Sequence, residues 1–301
     1  MRYLGAVIRP PSEADSLILQ VSYGCSHGEC DFCGTYAEKP FRVRPFGEVA
    51  QDVTGLPTGL KRSVRRVFLA DGDAVILPHR RLLEILDLLH AELPQLERVS
   101  AYATAQALLR KTVDQLRALR EGGLTLLFLG LESGDDATLA AIHKGVTVAE
   151  QIEACRRARE AGIALSLTTI LGLAGAEDPD AEVLSPASER HALATGAALS
   201  AIGPEFIGVL SLMVTPGTPM AERVARGDFI VAGPLAMLRE LRELIAAIDV
   251  PDSLFRSNHA SNYLPVGGRL PQDKARMLAA LDAVLTAPAG TRLRPESWRA
   301  L

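Results

Sequence analysis

Three of the four cysteines lie within nine residues, a spacing typical of a metal site. Cys25, Cys30 and Cys33 follow the apolar run of residues 17–22, whereas Cys155 is far away in the sequence. A 4Fe-4S cluster normally takes four thiolates, so a cluster held by three leaves one iron open to a ligand from outside the protein. An open iron indicates catalytic chemistry rather than a structural role.

Zinc is the alternative interpretation of this loop. Structural zinc prefers four nitrogen or sulfur ligands, and usually pairs one Cys-x2-Cys with a second Cys or His pair farther along the chain. Here the fourth ligand would have to be His27, which would crowd all four into one short loop. Cys155 lies in a predicted helix, where packing explains a free cysteine better than ligation does. The pattern therefore favours an iron–sulfur cluster over a zinc ion.

Composition indicates a globular protein: the 301 residues are 48% hydrophobic and 23% charged. Apolar runs such as residues 124–131 are shorter than the roughly 20 residues that cross a bilayer, and the N-terminus does not resemble a secretory signal. Four cysteines are too few to staple a chain of this length. We therefore expect a cytoplasmic protein without a membrane partner.

Charge disfavours a nucleic-acid partner, because the formal net charge is −4 and nucleic-acid binding needs a basic surface. One local basic run, formed by Lys61, Arg62, Arg65 and Arg66, precedes a predicted strand. A solvated loop is the simpler interpretation of this run, and RNA binding is the alternative.

Short β-rich runs alternate with amphipathic helical stretches, which predicts βα units around a parallel sheet. The predicted strands are residues 17–22, 67–70, 98–104, 124–131, 164–171 and 206–213. Right-handed crossovers would arrange them as a barrel or as an open doubly wound sheet. We predict an N-terminal arm at 1–14, a core at 15–235, and an extension at 236–301 that covers the mouth of the core.

Polar residues follow several strands at their carboxyl ends, where ligands of such folds bind. The cysteine loop follows the first strand, Asp71, Gly72 and Asp73 the second, Glu132 and Ser133 the fourth, and the segment from Gly172 to Glu177 the fifth. Asp71 and Asp73 could instead form only a turn, and Glu132 could be a carboxylate at a helix N-terminus.

A second polar group lies in the predicted extension, in a segment without clear periodicity. It comprises Asn258, His259, Asn262 and Tyr263. These side chains could contact a polar substrate or cap helices.

Taken together, these residues resemble the radical S-adenosylmethionine (radical SAM) enzymes. The usual motif of that family has three residues between the first two cysteines and two between the next; this chain has four and then two, with the aromatic Phe32 before the last cysteine as in the family. The resemblance covers about residues 15–235 and implies an α/β fold, a partial (β/α)6 TIM-like barrel with a C-terminal helical and loop extension.

The resemblance also implies two cofactors and their contacts. A 4Fe-4S cluster would be bound by the three clustered cysteines, next to Phe32, and S-adenosyl-L-methionine (SAM) would bind its open iron. Asp71, Gly72 and Asp73 would meet the amino group of SAM. Glu132 would meet its ribose hydroxyls, with Ser133 as a further cofactor-binding residue, and the segment containing Gly172 would line its adenine.

The implied reaction is reductive cleavage of SAM to methionine and a 5′-deoxyadenosyl radical, which takes a hydrogen atom from a substrate. We expect a small polar substrate and an electron donor such as flavodoxin or ferredoxin. Three alternatives stay open: a 3-amino-3-carboxypropyl radical from the same cofactors, a non-catalytic iron–sulfur or zinc protein, and an RNA-modifying radical SAM enzyme.

Overall fold

The computed structural model describes residues 1–36, 38–179, 183–286 and 293–300. The strands are β1 (Leu17–Gln20), β2 (Ser22–Tyr23), β3 (Arg42–Val43), β4 (Arg66–Ala70), β5 (Arg98–Tyr102), β6 (Leu124–Glu132), β7 (Ala164–Leu171), β8 (Phe206–Ser211), β9 (Ser253–Ser257) and β10 (Val266–Leu270). The α-helices are α1 (Phe46–Thr54), α2 (Thr58–Lys61), α3 (His79–Glu92), α4 (Ala105–Leu109), α5 (Val113–Glu121), α6 (Asp136–Ala141), α7 (Val148–Glu160), α8 (Pro186–Ile202), α9 (Pro219–Arg226), α10 (Pro234–Ala247) and α11 (Lys274–Leu285).

Eight strands form one sheet in the order β1-β4-β5-β6-β7-β8-β9-β10, and β2 pairs with β3 separately. The pairs β1/β4, β4/β5, β5/β6, β7/β8 and β8/β9 are parallel, and β9/β10 is antiparallel. This mostly parallel order confirms the predicted α/β class. The six predicted strands correspond to β1, β4, β5, β6, β7 and β8.

The first predicted strand ends earlier than the sequence indicated. It was expected to run to residue 22, but β1 ends at Gln20 and Ser22 pairs with β3 instead. Val21 lies between these partners: its N–H donates to the Ala70 carbonyl, and its carbonyl accepts from the Arg44 N–H. The chain therefore changes partner before the cysteine loop begins.

The C-terminal part contains two strands that the sequence did not predict. Strands β9 and β10 lie between helices α10 and α11 and extend the sheet. Periodicity misses them because the buried face of β9 carries two serines and only one large apolar residue, Phe255, and β10 contains two glycines.

The chain divides into two compact units, each made of several segments. The first consists of residues 1–28, 35–129 and 153–165, and the second of residues 29–34, 130–152 and 166–301. In the first, Phe68, Tyr102 and Phe128 stack edge to face with ring centroids 4.9–6.3 Å apart. In the second, Leu173 and Leu212 belong to a cluster of buried apolar residues. The predicted boundaries at 14 and 235 stay a prediction.

Within the described part of the chain, no helix combines the length and the apolar character that crossing a bilayer requires.

Candidate radical SAM site

The start of the cysteine loop is held by Asp71 in the first unit. The Asp71 carboxylate is fully buried, and its Oδ2 accepts from Nε2 of Gln20 (2.8 Å), the N–H of Gly24 (3.2 Å) and Nζ of Lys39 (3.0 Å). The N–H of Gly72 in turn donates to the Gly24 carbonyl at 3.1 Å. The turn after β4 therefore fixes the residue before the first cysteine. Oδ1 of Asp71 is buried and has no hydrogen-bond partner in the described residues.

Asp73 holds the residue on the other side of the first cysteine. Its carboxylate is fully buried and accepts from the Ser26 hydroxyl, and from the N–H and hydroxyl of Thr104 at 3.2 and 2.9 Å. Burial raises the pKa of Asp73, although hydrogen bonds from Ser26 and Thr104 oppose this shift. Both acidic residues that the sequence singled out thus contact the flanks of Cys25.

A glycine turn lies between the first two cysteines, in the segment that carries the extra residue of the motif. Gly28 lies in the left-handed region with φ 68°, which glycine adopts without steric cost. An added Cβ there would lie 3.5 Å from the carbonyl oxygen of Cys25, an ordinary contact distance, so the backbone angle rather than a lack of space favours glycine at this position.

In the second unit, Asp31 anchors the Cys30–Cys33 segment. Its carboxylate is 4% exposed and lies 2.6 Å from Nδ1 of His143 and 3.2 Å from Nη1 of Arg223. The Asp31 N–H donates to the carbonyl of Ile142 at 3.1 Å, and its own carbonyl accepts from the N–H of Met220 at 3.0 Å. Sequence reasoning missed this residue. The only signal was an acid placed between two cysteines.

Two neighbours of the last cysteine pack closely. Phe32 packs against the apolar cluster that contains Leu173 and Tyr263. At Gly34, an added Cβ would lie 2.5 Å from Cγ2 of Thr215, so glycine is required for this close approach. The backbone of Cys33 also donates to the Cys30 carbonyl at 3.0 Å.

Glu132, at the end of β6, has a buried carboxylate oxygen without a partner. Glu132 is 8% exposed, and its φ of 63° lies in the left-handed region. Its Oε1 accepts a hydrogen bond from Nζ of Lys144 at 3.2 Å. Oε2 is buried without a hydrogen bond in the described residues. The carboxylate folds over Gly130, where an added Cβ would lie 1.8 Å from Oε1. Buried polar atoms are nearly always hydrogen-bonded, so this oxygen remains available to accept a hydrogen bond.

Ser133 and Gly172 belong to a buried polar network in the second unit. Oγ of Ser133 is 2.7 Å from Nδ1 of His191, whose Nε2 is 3.5 Å from Oε1 of Glu240. Glu240 also accepts from the N–H of Gly172 at 2.7 Å and from the Ser188 hydroxyl. Ser133 is fully buried, so the network fixes the ends of β6 and β7 on α8 and α10.

The four predicted substrate residues have different surroundings. Asn262 is 2% exposed; its side chain accepts from the Ser211 hydroxyl and donates to the Val209 carbonyl. Tyr263 donates to Glu296 and accepts from Arg299. We interpret these two as residues that shape the turn.

The other two substrate candidates are more accessible. Asn258 is exposed and His259 is half-buried. Burial and the nearby Arg294 lower the pKa of His259, and Nη1 of Arg294 donates to its carbonyl at 2.9 Å.

The basic run is largely neutralised by acidic neighbours in the first unit. Lys61 pairs with Glu92, Arg65 with Glu97, and Arg66 with Asp15. These pairs favour the interpretation of this run as a solvated surface.

Comparison with known sequences decides the family. The sequence profile of the radical SAM superfamily matches residues 19–185, which is more than half of the chain. The chain belongs to the radical SAM superfamily. The enzymes of this superfamily use a 4Fe-4S cluster and SAM, so the predicted family, enzyme class and cofactors are confirmed.

A curated relative and several solved structures are also similar. An uncharacterized protein of Methanopyrus kandleri is 29% identical over 259 residues, which are 80% of this chain and 44% of the relative. The chain thus spans less than half the length of that relative.

The solved structures support the radical SAM fold. Coproporphyrinogen III oxidase from Escherichia coli has a TM-score of 0.57 at 17% identity, covering 77% of this chain and 51% of the oxidase. Methylornithine synthase has a TM-score of 0.51 at 16% identity, covering 78% of this chain and 63% of the synthase. These similarities confirm the predicted partial-barrel fold class.

The residues present fit the two radical SAM cofactors. All four cysteines are thiols; the three in the loop are partly exposed, whereas Cys155 is 2% exposed and burial raises its pKa to about 12. Among the described residues, Oδ1 of Asp71 and Oε2 of Glu132 are buried acceptors without a hydrogen bond, a chemistry that suits a ligand with N–H or O–H donors. Among the described residues, no three His, Cys, Asp or Glu side chains are gathered as a ready metal-ion site.

Proposed function

We propose that this chain cleaves SAM reductively to methionine and a 5′-deoxyadenosyl radical, which abstracts hydrogen from a small polar substrate. The observation that carries this proposal is the cysteine loop, which lies inside the segment matched by the superfamily. Buried carboxylates anchor both parts of this loop. Asp71 and Asp73 accept hydrogen bonds from Gly24 and Ser26, the residues on either side of Cys25. Asp31, between Cys30 and Cys33, contacts His143.

In this proposal Cys25, Cys30 and Cys33 hold the cluster through their thiolates. Cys155 takes no part, because its thiol is buried and stays protonated at neutral pH. When bound, the cluster supplies an electron and an open iron, and SAM supplies the carbon–sulfur bond that is cleaved.

The remaining residues bind and orient SAM. The unpartnered Oε2 of Glu132 supports the proposed contact with the ribose hydroxyls, and the unpartnered Oδ1 of Asp71 supports a contact with the amino group. Gly72 packs tightly under Tyr36, since an added Cβ would lie 2.5 Å from the Tyr36 ring. Gly172 has φ 82° and is fixed by Glu240, which supports its proposed place beside the adenine.

We propose a reducing cytoplasm as the location, and flavodoxin or ferredoxin as the class of electron donor. The four thiols support this environment, because oxidising compartments favour disulfides.

The test is an anaerobic reaction of the reconstituted protein with SAM and a strong reductant, with products identified by mass spectrometry. We expect 5′-deoxyadenosine from the wild type and from Cys155→Ala, and none from Cys30→Ala. Methylthioadenosine in its place would assign the chemistry to the 3-amino-3-carboxypropyl radical. A confirmed cluster that gives neither product, with or without a panel of small polar compounds, would favour a non-catalytic iron–sulfur protein.

A further inference from the structure

An arginine lies between two glycines in a row that crosses the second unit's sheet. Thr168 of β7 pairs with Gly208 of β8, Gly208 pairs with Arg256 of β9, and Arg256 pairs with Gly267 of β10. Residues paired across neighbouring strands point to the same face of a sheet. Arg256 therefore extends from a face on which its two nearest cross-strand neighbours have no side chains.

This face is the more open one. The alternate residues of the same strands, Leu167, Val209 and Phe255, are fully buried on the opposite face. Thr168 and Gly208 are only partly buried, and Arg256 is exposed. The row thus lies on an accessible surface that crosses four strands.

Within the described residues, the Arg256 guanidinium is in no hydrogen bond and no ion pair. Arg269 of β10 points to the same face two pairs along the β9/β10 ladder, opposite Leu254, and it forms an ion pair with Asp252. The two arginines share a surface and a charge but differ in whether the protein neutralises them.

Gly208 is not explained by the fold. A Cβ added there would meet its nearest atoms, the Leu167 carbonyl oxygen and Oγ1 of Thr168, at 3.8 Å, which is ordinary contact. Its φ also lies outside the range that favours glycine. A glycine inside a strand weakens the strand, and often marks a place where a ligand approaches the backbone. The missing side chain keeps space open between Thr168 and Arg256.

We propose that this row binds an oxyanionic group of the substrate, a carboxylate or a phosphate. The planar guanidinium of Arg256 would donate two parallel hydrogen bonds to it, and the Thr168 hydroxyl would donate a third across Gly208. This inference rests on the proposed function, and it narrows the small polar substrate to an anionic one. Arg256 is in this sense a substrate-binding residue.

The test measures anion binding to the full chain, purified anaerobically, without SAM and at low salt. Inorganic phosphate and succinate are titrated separately by calorimetry. We expect saturable binding with a Kd of the order of millimolar for at least one probe, weakened about tenfold or more in Arg256→Gln. Arg269→Gln is the matched control, because it removes the same charge from the same face and should leave the affinity nearly unchanged. Binding of only one probe would identify whether the substrate group that this row binds is a phosphate or a carboxylate.

A second variant separates binding from folding. Gly208→Val fills the space beside Arg256 without removing a charge, and we expect it to weaken the same probe while thermal unfolding changes little. The proposal is overturned if neither anion saturates, or if Arg256→Gln and Arg269→Gln weaken binding equally. It is also overturned if Arg256→Gln lowers the affinity for SAM to the same degree, since the site would then serve the cofactor. Because no SAM cleavage is measured, a failure of the proposed function would not change the anion result.

Discussion

Single residues with an incomplete set of partners are the most informative features of the site. Glu132 has one carboxylate oxygen paired with Lys144 and one that is buried without a hydrogen bond to any described residue. Leaving a buried acceptor unsatisfied costs about 1–3 kcal/mol, so such an atom in a native protein calls for a ligand or another explanation. Its place at the end of β6 agrees with the ribose contact that the sequence implied.

We expect Glu132→Gln to weaken SAM binding by about tenfold or more, because the amide replaces one acceptor oxygen with a donor. Equilibrium dialysis of SAM with the cluster-loaded protein checks this expectation. Glu189→Gln is the control, since Glu189 is exposed at the start of α8. Equal affinities in the wild type and in Glu132→Gln would contradict the ribose assignment.

Asp31 supports the cluster loop without being a ligand. We expect Asp31→Asn to lose the ion pair with Arg223 and to release iron faster to a chelator, at a cost of about 1–3 kcal/mol in unfolding free energy. Asp228→Asn, which disrupts an exposed pair with Arg226 in the same region, should retain iron like the wild type. Iron loss at the same rate in both variants would refute the anchoring role.

The elements of this fold could be predicted where the pattern was long. The β-rich run of residues 164–171 predicted β7 at its observed bounds. No such run marks β9, because its buried residues are two serines and one phenylalanine, and Arg256 is exposed. The sequence left two roles open for Asn262, because a polar loop residue looks the same whether its partners are protein atoms or a ligand.

Helix α1 is attached through a buried ion pair that should make stability depend on pH. Asp52 of α1 pairs with Arg44 at 2.8 Å, and both side chains are at most 3% exposed. Burial raises the pKa of Asp52, but hydrogen bonds from Arg44 and Arg2 more than offset this and leave the pKa below its usual value. A carboxylate with a lowered pKa contributes stability above its unfolded pKa of about 3.9, and this contribution is lost as the pH falls through the folded pKa.

We therefore expect Asp52→Asn to cost about 3 kcal/mol at neutral pH, because it leaves Arg44 buried without its main partner. The difference from the wild type should begin to shrink below about pH 5 and continue to shrink as the acid range is entered. Urea unfolding at neutral and acid pH measures both values. Asp15→Asn, which removes the exposed partner of Arg66, should differ little from the wild type at either pH. A constant difference for Asp52→Asn across this range would contradict the assignment.

At the scale of the whole molecule, ligand binding should determine much of the observed stability. Neither compact unit is a continuous stretch of the chain, and the matched family segment contributes residues to both. A ligand that binds only the native state stabilises it by about 2.7 kcal/mol at a hundred times its Kd. The joint order of the cysteine loop and the polar strand ends along the sequence was what identified the cofactors; no single motif would have sufficed.

We expect SAM to raise the melting temperature of the cluster-loaded protein by about 5 °C or more at saturating concentration. Removing the cluster with a chelator should abolish most of this increase, because the open iron is the proposed ligand of SAM. Scanning calorimetry under anaerobic conditions measures the shift, with Cys30→Ala as the cluster-deficient reference. An equal shift in both proteins would show that SAM binds independently of the metal.

Because Cys155 is buried, the number of reactive thiols in the native protein should depend only on whether the cysteine loop holds a cluster. Its thiol is buried and has a raised pKa, so an alkylating reagent should not modify it in the native protein, whereas the three loop thiols are partly exposed. Intact-mass measurement after brief alkylation should therefore resolve two populations: one unmodified, whose loop thiolates are engaged by the cluster, and one carrying three adducts. The ratio of these two masses would report the fraction of molecules that hold a cluster, without any assay of iron or activity.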